Sequence, residues 1–130
     1  MILNLTQHAA TPDQIAAGVI EPNPYEKAVI RQMLTFDAPP DQKEMDRRGR
    51  MLARIIHDYR FPGNGRTECR RAMIGGAPFF MSTLEEHVKG SCMIPVYAFS
   101  RREADETQRG DGSVEKRQIF RHAGFVEVLR

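Results

Sequence analysis

The sequence predicts an α/β fold: a small Rossmann-like parallel sheet with flanking helices, extended by a carboxyl-terminal antiparallel β-hairpin. Three observations carry this. Residues 71–100 read as one strand–helix–strand unit, in which Ala72 to Ile74 is a short apolar run that stops at Gly75-Gly76. Phe80, Leu84 and Val88 then recur every four residues and form one helical stripe. Finally, Val114–Phe120 and Gly124–Val128 read as two strands after the turn Gly110-Asp111-Gly112, so Val96–Phe120 is expected to form a long hairpin. A parallel crossover such as the 71–100 unit needs a helix on the sheet face.

The remaining elements follow in order. Ile2 to Leu5 alternates as a strand would and ends in Thr6-Gln7-His8. Thr11-Pro12-Asp13-Gln14 is a helix start with a capping hydroxyl, Pro at the first position and Gln at the capping-box position. Ile15 and Val19 are expected to share a face of that helix, which Gly18 ends. Asn23-Pro24-Tyr25-Glu26 repeats the start signal, for a helix from Pro24 to about Leu34 that buries Ala28, Val29, Met33 and Leu34. Asp41 to Tyr59 is the longest helix. Asp41 and Glu44 suit a capping box, and Met45, Leu52, Ile55, Ile56 and Tyr59 form its stripe. Glu44 with Arg48 and Asp46 with Arg50 are i,i+4 pairs in the favourable orientation. Gly49 interrupts this helix, which suggests close packing. Residues 61–67 hold Pro-Gly-Asn-Gly, a loop by composition. In the 71–100 unit, Pro78 suits the first helical position and Gly90 the residue just past the end. Val96 to Phe99 is expected as a buried strand.

The bounds agree with one Rossmann-like domain over residues 1–130. Hydrophobic residues make up 41% and charged residues 28%, which excludes a disordered chain. A net charge of +2 gives no field to hold long nucleic acid or a membrane surface. The two cysteines, Cys69 and Cys92, form no CxxC, so no metal site is expected. Met1-Ile2-Leu3-Asn4 lacks the basic region and cleavage pattern of a signal peptide, and no run is long enough to span a bilayer. A cytoplasmic location is expected.

Chemistry is expected at the strand ends, because open α/β sheets bind ligands outside the carboxyl ends of their strands. Three such ends are polar or glycine-rich. They offer Thr6, Gln7 and His8; Gly75, Gly76 and Ala77; and Ser100 and Arg101. If the strands are parallel and adjacent, these groups converge on an anionic ligand. The glycines let a ligand approach the backbone at a helix amino terminus that favours phosphate, although two glycines also suit a plain strand–helix turn. Arg101 would meet the anion, or stand as a solvated charge with Arg102 at the hairpin base. His8 and His122 are the candidate general acid/base groups. His8 also suits an ordinary helix-entry residue, and His122 a structural hydrogen bond. His57 and His87 read as surface or packing residues, and Arg66, Arg70 and Arg71 as a basic cluster without interleaved aromatics. The GxGxxG and GxxxxGK[ST] patterns are absent, so no cofactor is expected.

Asn4-Leu5-Thr6-Gln7-His8, Gly75-Gly76-Ala77-Pro78-Phe79 and His122-Ala123-Gly124-Phe125 together resemble a little-characterised family of small bacterial and phage proteins. The layout also resembles the CARF sensor domains of CRISPR systems. That resemblance implies a Rossmann-like dimer, bacterial or phage defence, and a cyclic oligoadenylate bound at strand ends. The expected function is therefore a binding module for a nucleotide or phosphorylated small molecule. The alternatives are a phosphodiesterase or ring nuclease that uses His8 or His122, and a ligand-free interaction module. Phe79, Phe80 and the hairpin carry more apolar surface than one sheet face covers, so a homodimer is expected.

Overall fold

The computed structural model describes residues 1–59 and 70–129; the loop expected over 61–67, Arg66 and Cys69 lie outside the described residues. Five strands form one sheet in the order β2-β1-β3-β4-β5. β1 (Ile2–Asn4) pairs in parallel with β2 (Val19–Ile20) and with β3 (Arg71–Met73). β3 pairs in parallel with β4 (Ile94–Gln108), and β4 pairs antiparallel with β5 (Val114–Glu127). Four helices connect them: α1 (Pro12–Ala16), α2 (Pro24–Leu34), α3 (Gln42–Asp58) and α4 (Pro78–Gly90). The mixed α/β fold expected from the sequence is the fold observed.

The two sheet faces differ. Leu3, Leu5, Ala72 and Ile74 share one core with the stripes of α2, α3 and α4. Phe80, Leu84 and Val88 are all fully buried in it, each contributing about 1.5–3 kcal/mol by leaving water. Ile2, Val19, Met73 and Val96 form a second cluster, against which Ala10 and Phe125 pack.

The helix starts follow the capping chemistry of the sequence. Thr11 and Asn23 each close a full capping box with Gln14 and Glu26. Asp41 accepts from the Glu44 amide at 2.8 Å, but the Glu44 carboxylate does not return to Asp41; it bonds Arg47 and Arg48 instead. Those two guanidinium groups hold the Glu44 carboxyl down at about 2. Asp46 likewise turns to the His87 ring at 3.2 Å and not to Arg50. The cause is Gly49: a Cβ there would lie 2.4 Å from His87 Cδ2, so the missing side chain is the seat of the imidazole.

Several expectations need correction. Val19 does not continue α1 beside Ile15. It opens the short edge strand β2, while Ile15 stays exposed. In α2 the buried face is Ile30, Met33 and Leu34, and Ala28 is exposed. Gly90 is the last residue of α4, and the left-handed position falls on Cys92, at φ 59°. Phe99 is 51% exposed, because no helix lies between β4 and β5 to cover it. The two expected last strands are one strand: Ala123 forms a bulge opposite Phe99 and Ser100, with Gly124 at φ 146° absorbing the bend.

Candidate functional site

The chain leaves β1 toward β2 on one side and leaves β3 toward β4 on the other. That reversal separates the loops at the carboxyl ends of β1 and β3 and opens a crevice between them, the position at which such sheets hold ligands. A cavity of about 760 Å³ lies there. It is lined by the turn after β1 (Thr6, Gln7, His8), the turn after β3 (Gly75, Gly76, Ala77), and an apolar wall of Leu34, Phe36, Phe79 and Tyr97.

The turn after β1 is shaped by Asn4, which is 2% exposed. Its amide donates to the His8 carbonyl at 2.8 Å and to Glu21 Oε1 at 2.7 Å. Its carbonyl accepts from the Thr6 amide at 3.0 Å and the Thr6 hydroxyl at 2.7 Å. Every polar group of Asn4 is thus satisfied by the turn it holds. Glu21 in turn accepts from the Ala10 amide at 2.9 Å and pairs with Lys27 at 2.7 Å. Burial alone would raise its carboxyl, but the hydrogen bonds from Lys27, Asn4 and Ala10 outweigh this and hold it below its ordinary value. Gln7 donates to the Leu34 carbonyl at 2.8 Å and ties the turn to the end of α2.

The turn after β3 supplies open backbone. Gly75 packs close to Thr6, where an added Cβ would lie 3.7 Å from Thr6 Cγ2. Gly76 stands at φ 144°, a conformation that L residues rarely adopt, so a valine there strains the backbone before it meets any ligand. α1, α2 and α3 have side-chain caps, whereas no side chain closes the amino end of α4 at Ala77.

Ring, cation and hydrogen-bond contacts tie the apolar wall together. Phe36 meets Phe79 and Phe80 edge-on, with ring centroids 5.0 and 5.4 Å apart. Arg48 lies over the Phe36 ring, 4.2 Å from its centroid, and donates to the Met33 and Thr35 carbonyls. The Tyr97 hydroxyl donates to Glu85 at 2.6 Å. Burial and that carboxylate push its pKa well above the ordinary tyrosine value, so Tyr97 remains a neutral wall. Among the described lining residues, His8 is the remaining titratable group.

The structure therefore brings together Thr6, Gln7, His8, Gly75, Gly76 and Ala77. It does not bring in Ser100, Arg101 or His122. Ser100 and Arg101 lie further along β4, past the sheet edge, paired with His122 and Arg121. His122 packs its ring on Phe125 at 4.8 Å, and its Nδ1 is enclosed with no hydrogen-bond partner among the described residues. The cations near the site are others. A smaller pocket of about 100 Å³ shares Thr6, Gln7 and His8 with the main cavity and is lined by Lys27 and Arg31. Asn4, Glu21 and Arg31 were legible only as a polar residue at a strand end and as charges on or before a helix. Among the described residues, no cluster of three or more His, Cys, Asp or Glu could hold a metal ion, and no helix is long and apolar enough to cross a membrane.

No curated protein and no solved structure matches the chain. Residues 1–126 match the family described as Uncharacterized protein MJ1673 family, and the chain belongs to that family.

Proposed function

We propose that this chain binds a nucleotide or phosphorylated small molecule in the crevice between the carboxyl ends of β1 and β3. The observation that carries the reading is the meeting of the Thr6–His8 and Gly75–Ala77 turns on one cavity of about 760 Å³ at the reversal of strand order. The wall of Phe36, Phe79 and Tyr97 suits a planar base. Glycine backbone and the uncapped amino end of α4 suit a phosphate. Arg31, across the Thr6–His8 turn, adds positive charge, while Lys27 beside it is paired with Glu21. This strand-end position is also where the CARF resemblance puts its cyclic oligonucleotide, so that ligand belongs to the class.

Calorimetric titration with mononucleotides, dinucleotides, cyclic nucleotides and sugar phosphates tests the reading. At least one is expected to bind, and Gly75→Val is expected to abolish that binding while melting as the parent does. Gly75 is the better position than Gly76, because its φ is unexceptional and a Cβ there meets only ordinary contact. Absence of heat from every class, or undiminished binding by Gly75→Val, overturns it.

A further inference from the structure

The main cavity has an apolar wall and glycine backbone, but among the described residues no lysine or arginine lines it. An anion held there needs its charge met from beside it. The smaller pocket of about 100 Å³ at the Thr6–His8 turn offers this. Of its two cations, Lys27 is bound to Glu21 at 2.7 Å. That carboxylate also accepts from the Asn4 side chain and the Ala10 amide, so its charge is fully answered within the turn. Arg31 stands on α2, exposed, and its guanidinium has no partner among the described residues. Its backbone is fixed: the Arg31 carbonyl accepts the Thr35 hydroxyl at 2.7 Å, and the Leu34 carbonyl accepts Gln7 at 2.8 Å. The other cations are committed or distant. Arg48 lies over Phe36 and donates to Glu44 and to two carbonyls. Arg101 stands on the arm that β4 and β5 form beyond Ala98, and lines neither pocket.

We infer that the ligand's phosphate group is seated in this smaller pocket against Arg31, and that Arg31 selects a phosphorylated ligand over its unphosphorylated counterpart. The inference rests on the binding of a nucleotide or phosphorylated small molecule in the main cavity. Thr6, Gln7 and His8 line both pockets, so one ligand can lie across that turn, its apolar part on the aromatic wall and its phosphate in the smaller pocket. Charge favours this placement. The amino end of α4 offers the equivalent of about half a charge. A guanidinium carries a full charge and a planar fork that meets two phosphate oxygens at once. Volume favours it too: about 100 Å³ admits one small group, and about 760 Å³ takes the rest. One free guanidinium matches one phosphate group. A triphosphate chain would bring charges that no other lysine or arginine of either pocket is free to meet.

Calorimetry on the full chain tests this with the common ribonucleoside monophosphates and ribose phosphate, each beside its unphosphorylated counterpart. The parent is expected to bind at least one phosphorylated probe about tenfold or more tighter than its counterpart. Arg31→Gln is expected to remove that preference and to leave the counterpart's affinity unchanged. Arg31→Lys keeps the charge without the fork and is expected to retain part of the preference. Both variants are expected to melt as the parent does, because the guanidinium has no partner to lose. Added salt gives a readout that needs no variant: the parent's preference is expected to shrink as salt rises. The nucleoside triphosphate is expected to bind no tighter than the monophosphate, and inorganic phosphate alone far more weakly. An Arg31→Gln variant that keeps the preference overturns the inference and leaves nucleotide binding in the cavity intact, with the phosphate at the Gly75–Ala77 turn. Equal affinity of the parent for both forms, a preference indifferent to salt, a tighter triphosphate, or inorganic phosphate as tight as the monophosphate also overturns it. If no probe binds, the inference fails: alone if a dinucleotide or cyclic nucleotide still gives heat, and together with binding in the cavity if nothing does.

Discussion

β4 passes through two environments, and its residues behave differently in each. At Val96 it is fully buried between β3 and β5, with the second apolar cluster beneath it. A few residues later, at Phe99, the same strand has no helix above it and an aromatic side chain stands half in water. In the body, tertiary burial holds the strands, and β1, β2 and β3 need only two or three residues each. In the arm, cross-strand pairs replace burial and the strands run to 15 and 14 residues. A short strand with a core on both faces can be firmer than a long one with a core on neither.

The largest expected effect would break this contrast if it failed. Phe80→Ala removes a fully buried ring from the middle of the helix-side core, and is expected to cost about 3–5 kcal/mol in urea unfolding. Phe120→Ala removes the same ring from the arm and is expected to stay within about 0.5 kcal/mol. Equal costs would mean that the arm has a core of its own.

The acid response sharpens the comparison at the Asn4 turn. The folded Glu21 carboxyl is held below its ordinary value of 4.5. Its contribution is therefore fully present above that value and is lost as pH falls through the lower folded value. Glu21→Gln keeps the shape but weakens charge-assisted bonds, and is expected to cost about 1–2 kcal/mol at neutral pH. Its unfolding free energy should also fall less steeply than the parent's below about pH 4.5. The exposed arm pair Lys116–Glu106 has no such bonds, and Glu106→Gln should change stability by less than about 0.5 kcal/mol.

What was legible in the sequence tracks these environments. Helix starts were readable because Thr11-Pro12 and Asn23-Pro24 act through local chemistry, and the α4 stripe because burial imposes a period. β2 was not, since Val19 and Ile20 form a strand only by pairing with Ile2 and Leu3. The convergence of Thr6–His8 on Gly75–Ala77 was legible as two polar strand ends, given parallel strands. The exclusion of Arg101 was not, because nothing local says where β4 leaves the sheet. Asn4 was hidden by its position in an apolar strand, where its partners come from residues 6, 8 and 21.

Packing tolerance gives a smaller contrast. Gly49→Ala supplies a better helix former, worth about 1 kcal/mol in isolation. In this helix the new Cβ would overlap the His87 ring, which Asp46 holds in place. Overpacking of about 1–3 kcal/mol should outweigh the gain and leave a net loss near 1 kcal/mol in chemical denaturation. His87→Ala in the same chain should recover the loss attributable to overlap. Gly110, at the arm tip, has open space where a Cβ would go, so Gly110→Ala should be neutral.

The smallest effect concerns the joint between the two regions. Cys92 lies in the turn from α4 into β4, exposed and with φ 59°. Its amide donates to the Lys89 carbonyl at 3.0 Å and the Met93 amide to the Val88 carbonyl at 3.3 Å, so the left-handed residue lets both bonds close the helix. A residue with a Cβ in this conformation costs about 1–2 kcal/mol relative to the ordinary helical region, a cost that glycine lacks. Glycine adds back about 0.4–1 kcal/mol through the freedom of its unfolded chain. Cys92→Gly should therefore stabilise the protein by about 0.5 kcal/mol, seen as a small rise in the urea midpoint with unchanged slope. β-branched substitution tests the same geometry from the other side: Cys92→Val should destabilise, because its stiff side chain fits the left-handed region worst. If both substitutions were neutral, the turn would be free to relax, and the entry to β4 would belong with the arm and not with the body.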